Sequence, residues 1–201
     1  MLGATFAEKV SAVIAYVPSA FDHGGQAACD PEFGRDGPAW LLDGRPLVHI
    51  WDDNKYASWA PYDEGEPPRR NSLAMMTAFA DPQALKRARI PVERIAGPVM
   101  LISGGDDGAW PSDLYSLIVQ SSLHAAGHPY PVQWENYPKG GHSILFPYVP
   151  TTLIAYPHPV TGVLTTMGGD ATSNAEANEH SWSMVLDWLS SMTQCDRVDG
   201  R

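Results

Sequence analysis

Residues 97–112 read GPVMLISGGDDGAWPS, and this stretch decides the fold. Its apolar run, Gly97–Ser103, is short and continuous, which is typical of a strand buried on both faces of a parallel sheet. A glycine pair, Asp106 and Asp107 follow, and a helix is then predicted from near Pro111 to Gly127. The stretch therefore predicts a strand, a loop and a helix in succession, the unit from which α/β proteins are built.

Two further strands are predicted, one on each side of this unit. Val132–Tyr137 (VQWENY) leads into the glycine-bearing loop KGGH, which ends at His142, and Val10–Val17 (VSAVIAYV) is β-branched and apolar. Parallel neighbours joined through a helix make a right-handed crossover. We therefore expect an α/β fold with parallel strands near residues 10–17, 97–103 and 132–137, in a single domain over residues 1–201.

The remaining segments are less regular. Phe21–Arg70 is rich in glycine, proline, aspartate and tryptophan, and a structureless stretch of that length is typical of a functional or cap-like insertion. Asp81 followed by Pro82 predicts a helix start. The other predicted features are a hairpin arm at Arg45–Trp51, a helix at Asn71–Asp81, and a last helix with a Ser173/Glu176 capping box and an apolar face at Trp182, Val185, Leu189 and Met192.

Composition excludes several classes of protein. Thirteen basic against 23 acidic residues give a formal charge of -10, which opposes the phosphate neutralisation that nucleic-acid binding requires. No run approaches the roughly 18 apolar residues of a membrane span. The only two cysteines, Cys29 and Cys195, exclude a disulfide scaffold. With no basic segment ahead of the first apolar run, we expect a cytoplasmic protein with no membrane or nucleic-acid partner.

Asp107 and His142 are the candidate catalytic residues. Each follows a predicted parallel strand, and an open α/β sheet binds its ligands beyond the carboxyl ends of its strands. A histidine that acts as a general base needs a carboxylate to fix its tautomer, and loops at neighbouring strand ends can bring the two together. The chain order of the pair matches the last two members of an α/β-hydrolase triad, the acid and then the histidine.

A simpler interpretation exists for each residue. Asp107 could cap the following helix or form an Asx turn, and His142 could be a solvated loop histidine. Asp106 is the rival acid. We prefer Asp107 because it stands fourth in the stretch Gly104–Asp107, the usual place for the acid in such loops, so this preference depends on register alone.

A nucleophile is not evident. The sequence contains no G-x-S-x-G elbow. Ser19 follows the first strand, but Pro18 before it favours a turn, and Cys29 has no basic neighbour to lower its pKa. The other six histidines show no ligand-like pairing and are expected at the surface, so no metal and no cofactor are expected. Three tryptophans could line an acyl pocket or simply pack the insertion: Trp40, Trp51 and Trp59.

Four segments together resemble the C-terminal domain of acyl-CoA thioester hydrolases and bile acid-CoA:amino acid N-acyltransferases. They are Ile90–Ser112, Ala125–Thr152 (with PVQWENYPKGGHSILFPYVP), Ala12–Phe21 (AVIAYVPSAF) and Gly168–Trp182 (GGDATSNAEANEHSW). The resemblance implies the C-terminal part of an α/β-hydrolase fold. It also implies a serine or cysteine that attacks a thioester, with the acid and base at the positions of Asp107 and His142.

The resemblance also bears on how the chain begins. MLGATFAEKVSAV resembles the end of the helix that follows the nucleophile in this family, so we expect the chain to start after the nucleophile and to lack the preceding strands. The first strand would then have an open edge, which favours self-association. The leading hypothesis is the acid-and-base half of an acyl thioester or ester hydrolase. A non-catalytic remnant or interaction module is the alternative, and a lactone or another ester, as for dienelactone hydrolase-like enzymes, is an alternative substrate.

Overall fold

The computed structural model describes residues 1–25, 35, 37–159 and 161–198, with side chains as far as residue 192. Its strands are β1 (Val13–Tyr16), β2 (Leu41–Leu42), β3 (Arg45–Pro46), β4 (Val99–Gly104), β5 (Val132–Tyr137), β6 (Ala155–Pro157) and β7 (Leu164–Thr166). Its α-helices are α1 (Leu2–Thr5), α2 (Ala60–Asp63), α3 (Asn71–Thr77), α4 (Pro82–Ala88), α5 (Ser112–Ala125) and α6 (Ala171–Val198). Short 3₁₀ helices lie at Ala7–Lys9, Ala78–Ala80 and Val92–Arg94.

The central sheet is parallel and has the strand order β1-β4-β5. Val99 pairs with Val13 on one side and with Val132 on the other. The fold class expected from the sequence is confirmed: helices flank a three-stranded parallel sheet. Two small antiparallel pairs, β2–β3 and β6–β7, lie outside it.

Strand β4 carries the core on both of its faces, because its six residues are all buried. Val99 and Leu101 belong to one apolar cluster with residues of α5, whereas Met100 and Ile102 belong to a second cluster with residues of α6. Successive side chains of a strand point to opposite faces, so α5 and α6 cover the two sides of the sheet.

Strand β1 differs from the prediction in length and burial. It spans four residues rather than eight, and all four are half-buried rather than buried on both faces. The reason is its place in the sheet: within the described part of the chain, β1 pairs only with β4 and is an edge strand. Lys9 ends a 3₁₀ helix, and only the residues from Val13 onward pair with β4.

The last helix is also capped and oriented differently from the prediction. Asp170, not Ser173, caps α6, because its Oδ1 accepts from the backbone N–H groups of Thr172 and Ser173. Ser173 therefore lies in the first helical turn. The predicted apolar face is only partly correct: Trp182 and Leu189 are exposed and Val185 is buried, and the buried face consists of Asn174, Ala177, Asn178, Ser181 and Val185.

Other predicted elements agree more closely. Asp81 caps α4 with its Oδ1, which accepts from the N–H groups of Gln83 and Ala84. The helix predicted at residues 71–81 is an α-helix only as far as Thr77 and then tightens to a 3₁₀ turn. In the predicted hairpin arm only Arg45–Pro46 is a strand. Among the described helices, none combines the length and the apolar character that crossing a bilayer would require.

Candidate active site

Three loops meet beyond the carboxyl ends of β4 and β5. The carbonyl oxygen of Met167, which follows β7, accepts from the N–H of His142 at 2.8 Å and from that of Gly108 at 2.9 Å. Asp107 and Gly168 form an antiparallel bridge. The loops after β4, β5 and β7 are thus joined by backbone hydrogen bonds, which fix the two predicted site residues relative to each other.

The glycine before His142 allows this close approach. A Cβ atom on Gly141 would overlap the carbonyl group of Gly168, and Gly168 itself has a φ of +77°. Only glycine adopts such a backbone conformation without strain and leaves room for a neighbouring backbone. Glycine at position 141 of KGGH therefore allows one strand-end loop to pack on another.

The structure brings Asp107 and His142 into contact. His142 Nδ1 lies 2.9 Å from Asp107 Oδ2 and 3.1 Å from Oδ1. The Asp107 side chain is 1% exposed and that of His142 is 23% exposed. A carboxylate can only accept hydrogen bonds, so Nδ1 carries the proton and Nε2 of the neutral ring presents its lone pair. In this tautomer Nε2 is the ring nitrogen that can accept a proton.

The turn interpretation of Asp107 also holds. Its Oδ1 accepts from the backbone N–H groups of Ala109 at 2.9 Å and Trp110 at 3.1 Å. The same carboxylate therefore shapes the loop that leads into α5 and contacts the imidazole. The sequence left the turn and the contact with the histidine as alternatives for Asp107, and its side chain makes both.

Asp106, the rival acid, faces elsewhere. Its Oδ1 accepts from Arg70 Nη2 at 2.8 Å, and its Oδ2 accepts from the N–H of Gly169 at 3.0 Å. Sequence reasoning missed Arg70, which lies 36 residues before Asp106. Nothing local in the sequence distinguishes Arg70 from its neighbour Arg69.

Trp110 is a second residue that sequence reasoning missed. Its ring meets that of His142 edge to face, with centroids 4.8 Å apart, and its indole N–H donates to the carbonyl of Val17 at 2.9 Å. Val17 directly follows β1 and has a φ of +39°. Trp110 therefore connects the end of β1 to the imidazole of His142. Its position three residues after Asp107 was the available signal.

His23 was expected at the surface, but it is buried and stacks on Trp110 with ring centroids 5.5 Å apart. His49 is buried as well, with its Nε2 3.1 Å from Asp52 Oδ1, and both histidines depart from the prediction because the insertion folds over them. Burial, the larger cause, and the nearby His49 together lower the pKa of His23 from 6.5 to about 4. His23 is therefore neutral at pH 7. Within the described residues no cluster of side chains suits a metal ion.

Of the two candidate nucleophiles, only Ser19 lies among the described residues, and it forms no hydrogen bond with Asp107 or His142. Ser19 Oγ donates to the carbonyl of Phe21 and accepts from its N–H, as expected for a turn residue. Cys29 lies outside the described residues. No hydroxyl or thiol of a described residue forms a hydrogen bond with His142 Nε2.

The three tryptophans of the insertion divide between the two interpretations. The rings of Trp51 and Trp59 stack on each other with centroids 4.9 Å apart, as expected for residues that pack the insertion. Trp40 is 53% exposed and lines a cleft of about 480 Å³ together with Phe21 and Trp110. One of the three thus borders open space beside the ring that contacts His142.

Residues 53–194 match the protein family described as BAAT / Acyl-CoA thioester hydrolase C terminal. The chain belongs to this family. The matched range is more than two thirds of the chain and contains both Asp107 and His142, so this BAAT/thioester hydrolase C-terminal domain has its acid–histidine contact within the family region.

Individual relatives cover less of the chain. It is 33% identical over 97 residues to the peroxisomal succinyl-coenzyme A thioesterase of Mus musculus, 48% of this chain and 23% of that protein. It is 32% identical over 134 residues to the mouse acyl-coenzyme A thioesterase 1, 61% of this chain and 32% of that protein. A third mouse relative, acyl-coenzyme A amino acid N-acyltransferase 2, is 34% identical over 96 residues, 48% of this chain and 22% of that protein. The matched segment spans between a fifth and a third of each relative.

Proposed function

We propose that this BAAT/thioester hydrolase C-terminal domain supplies the general base and the orienting acid of an acyl thioester hydrolase or acyltransferase. His142 is the base, Asp107 fixes its tautomer, and the nucleophile comes from residues outside the described part of the chain. The observation that carries the proposal is the 2.9 Å contact between His142 Nδ1 and Asp107 Oδ2 at neighbouring strand ends. The family and the names of its relatives support the substrate class.

The geometry supports one sequence of proton transfers. As the serine or cysteine nucleophile bonds to the thioester carbonyl carbon, its proton passes to His142 Nε2. The carbon–sulfur bond then breaks, and the departing thiolate takes that proton from Nε2 and leaves as the free thiol. Water or an amino acid attacks the acyl-enzyme by the same route, giving its proton to Nε2, from which it returns to the nucleophile. Asp107 stabilises the imidazolium that forms at each stage.

Two alternatives remain, each with its own observation. A non-catalytic role is favoured because, among the described residues, no hydroxyl or thiol forms a hydrogen bond with His142 Nε2. A lactone or simple ester substrate is favoured by the net charge of -10, which provides no general attraction for the phosphates of coenzyme A. The cytoplasmic location expected from the sequence stays a prediction, as does the single-domain assignment.

Hydrolysis assays separate these possibilities. Acyl-CoA thioesters and p-nitrophenyl esters would be assayed with the 201-residue chain and with a version extended upstream through any in-frame nucleophile elbow, called here the extended version. Thioester hydrolysis by the extended version alone supports the proposal. Activity in the 201-residue chain would direct attention to Ser19 and Cys29. Hydrolysis of the p-nitrophenyl ester alone would favour the ester alternative, and inactivity of both proteins would favour the non-catalytic one.

A further inference from the structure

Arg70 contacts the loop that carries Asp107 at three points. Its Nη2 donates to the carbonyl oxygen of Asp106 at 2.9 Å, to Asp106 Oδ1 at 2.8 Å and to the carbonyl oxygen of Asp107 at 3.1 Å. Arg70 immediately precedes α3. One guanidinium nitrogen thus fixes both the side chain of Asp106 and the backbone of the residue that contacts His142.

The other carboxylate oxygen of Asp106 extends this connection. Asp106 Oδ2 accepts from the N–H of Gly169 at 3.0 Å, next to the bridge between Asp107 and Gly168. The loop after β4 is therefore held by Arg70 on one side and by the loop after β7 on the other. With its backbone fixed on both sides and its Oδ1 accepting from the N–H groups of Ala109 and Trp110, Asp107 has little freedom to turn its carboxylate away from His142.

We propose that Arg70 is a positioning residue that acts through Asp106 and the Asp107 carbonyl to hold the Asp107 carboxylate against His142 Nδ1. The proposal rests on the proposed function only in treating this carboxylate–imidazole contact as the catalytic one. Charge-assisted hydrogen bonds to a carboxylate are stronger than neutral ones, and the planar guanidinium holds its Nη2 donor in a fixed orientation. An ammonium group at this position would keep the charge without that fixed orientation, so lysine should replace arginine only in part.

The test measures the contact itself. The readout is the solvent-exchange rate of the His142 Nδ1–H proton, followed by NMR in the histidine-labelled 201-residue chain and assigned by its loss in His142→Gln. Arg69→Met is the matched control, because it loses a hydrogen bond to the Gly65 carbonyl and a contact with the Tyr62 ring, neither of which involves Asp106, Asp107 or His142. The exchange rate can be measured in a protein with no catalytic activity, so failure of the proposed function would not obscure the result.

Arg70→Met should raise the exchange rate about tenfold, the change that follows from weakening one charge-assisted hydrogen bond. Arg70→Lys should fall between Arg70→Met and the unmodified chain, and Arg69→Met should leave the rate within about twofold. If Arg70→Met does not fold, Asp106→Asn tests the same connection and should raise the rate in the same direction. An unchanged exchange rate in a folded Arg70→Met or Asp106→Asn variant, even with a lower thermal midpoint, would overturn the proposal and leave Arg70 a purely structural residue.

Discussion

Replacing Asp107 by alanine or by asparagine should separate its structural role from its chemical role. Alanine removes the acceptor of two backbone N–H groups, those of Ala109 and Trp110, and the partner of His142. Asparagine keeps an Oδ1 that can accept from both backbone groups. It places an N–H₂ group where Oδ2 stood, 2.9 Å from His142 Nδ1. The two variants therefore differ in which contacts they lose.

The magnitudes follow from these contacts. A buried donor left without an acceptor costs about 1–3 kcal/mol, and the N–H of Trp110 is only partly buried, so Asp107→Ala should lower the free energy of unfolding by about 3 kcal/mol. For a chain of this length that corresponds to about 6–12 °C in thermal midpoint. Asp107→Asn should stay within about 1 kcal/mol. Its N–H₂ group would force the His142 proton from Nδ1 to Nε2, so Nε2 could no longer accept a proton.

Thermal melts of the three proteins and the ¹⁵N spectrum of His142 measure both effects. We expect the asparagine variant to melt at nearly the same temperature as the unmodified chain and to carry the His142 proton on Nε2 instead of Nδ1. An asparagine variant that melts as low as the alanine variant would refute the assignment of the two backbone hydrogen bonds. A proton that stays on Nδ1 would refute the tautomer argument.

Further predictions concern the loops and the edge strand. Gly141→Ala should destabilise the fold by about 1–3 kcal/mol, because its methyl group would overlap the Gly168 carbonyl; an unchanged denaturation midpoint in urea would contradict this close approach. Because folding lowers the pKa of His23, the unfolded chain binds a proton between about pH 6.5 and pH 4 that the folded chain does not bind. The free energy of unfolding should therefore be highest above about pH 6.5 and fall by about 3 kcal/mol towards pH 4. His23→Gln should flatten that slope in melts across the same range, and an equal slope would locate the effect elsewhere. Trp110→Phe should cost about 1 kcal/mol in chemical denaturation, since it loses the bond to the Val17 carbonyl; no loss would show that this bond contributes nothing. Among the described strands one edge of β1 has no partner, so we expect the 201-residue chain to self-associate, and a monodisperse monomer in sedimentation velocity would contradict that expectation.

Much of the central sheet could be predicted because its signals are local. The apolar run before Gly104 and the segment Val132–Tyr137 specify their own strands, and Asp81 before a proline specifies a helix start. The cap of α6 could not be settled in the same way. Asp170 and Ser173 are both good capping residues, and only the folded loop decides between them.

The inward face of α6 was predicted incorrectly for a different reason. Asn174 and Asn178 are polar but buried, because their side-chain oxygens accept from the N–H groups of Gly141 and Leu145. A pattern of apolar residues cannot reveal a helix face whose partners are backbone donors of a distant loop. The apolar Trp182 on the same helix is correspondingly exposed.

In the candidate site, too, residues with a local sequence signal could be predicted and residues placed by distant contacts could not. Asp107 and His142 could be predicted because each directly follows a recognisable strand. Arg70 and Trp110 were missed because their contacts join residues 36 and 93 positions apart, and the burial of His23 depends on the ring of Trp110. Such contacts depend on the packing of the insertion and the ends of the strands, which no local pattern encodes.

The most direct test of the assignment is kcat for thioester hydrolysis by the extended version carrying His142→Ala, Asp107→Asn or Asp106→Asn. We expect each of the first two to lower kcat by about 10³–10⁴-fold, as losses of triad residues do, and Asp106→Asn to lower it by no more than about tenfold. Near-normal turnover in His142→Ala or Asp107→Asn, or a larger loss in Asp106→Asn than in Asp107→Asn, would contradict the assignment of the acid and the base.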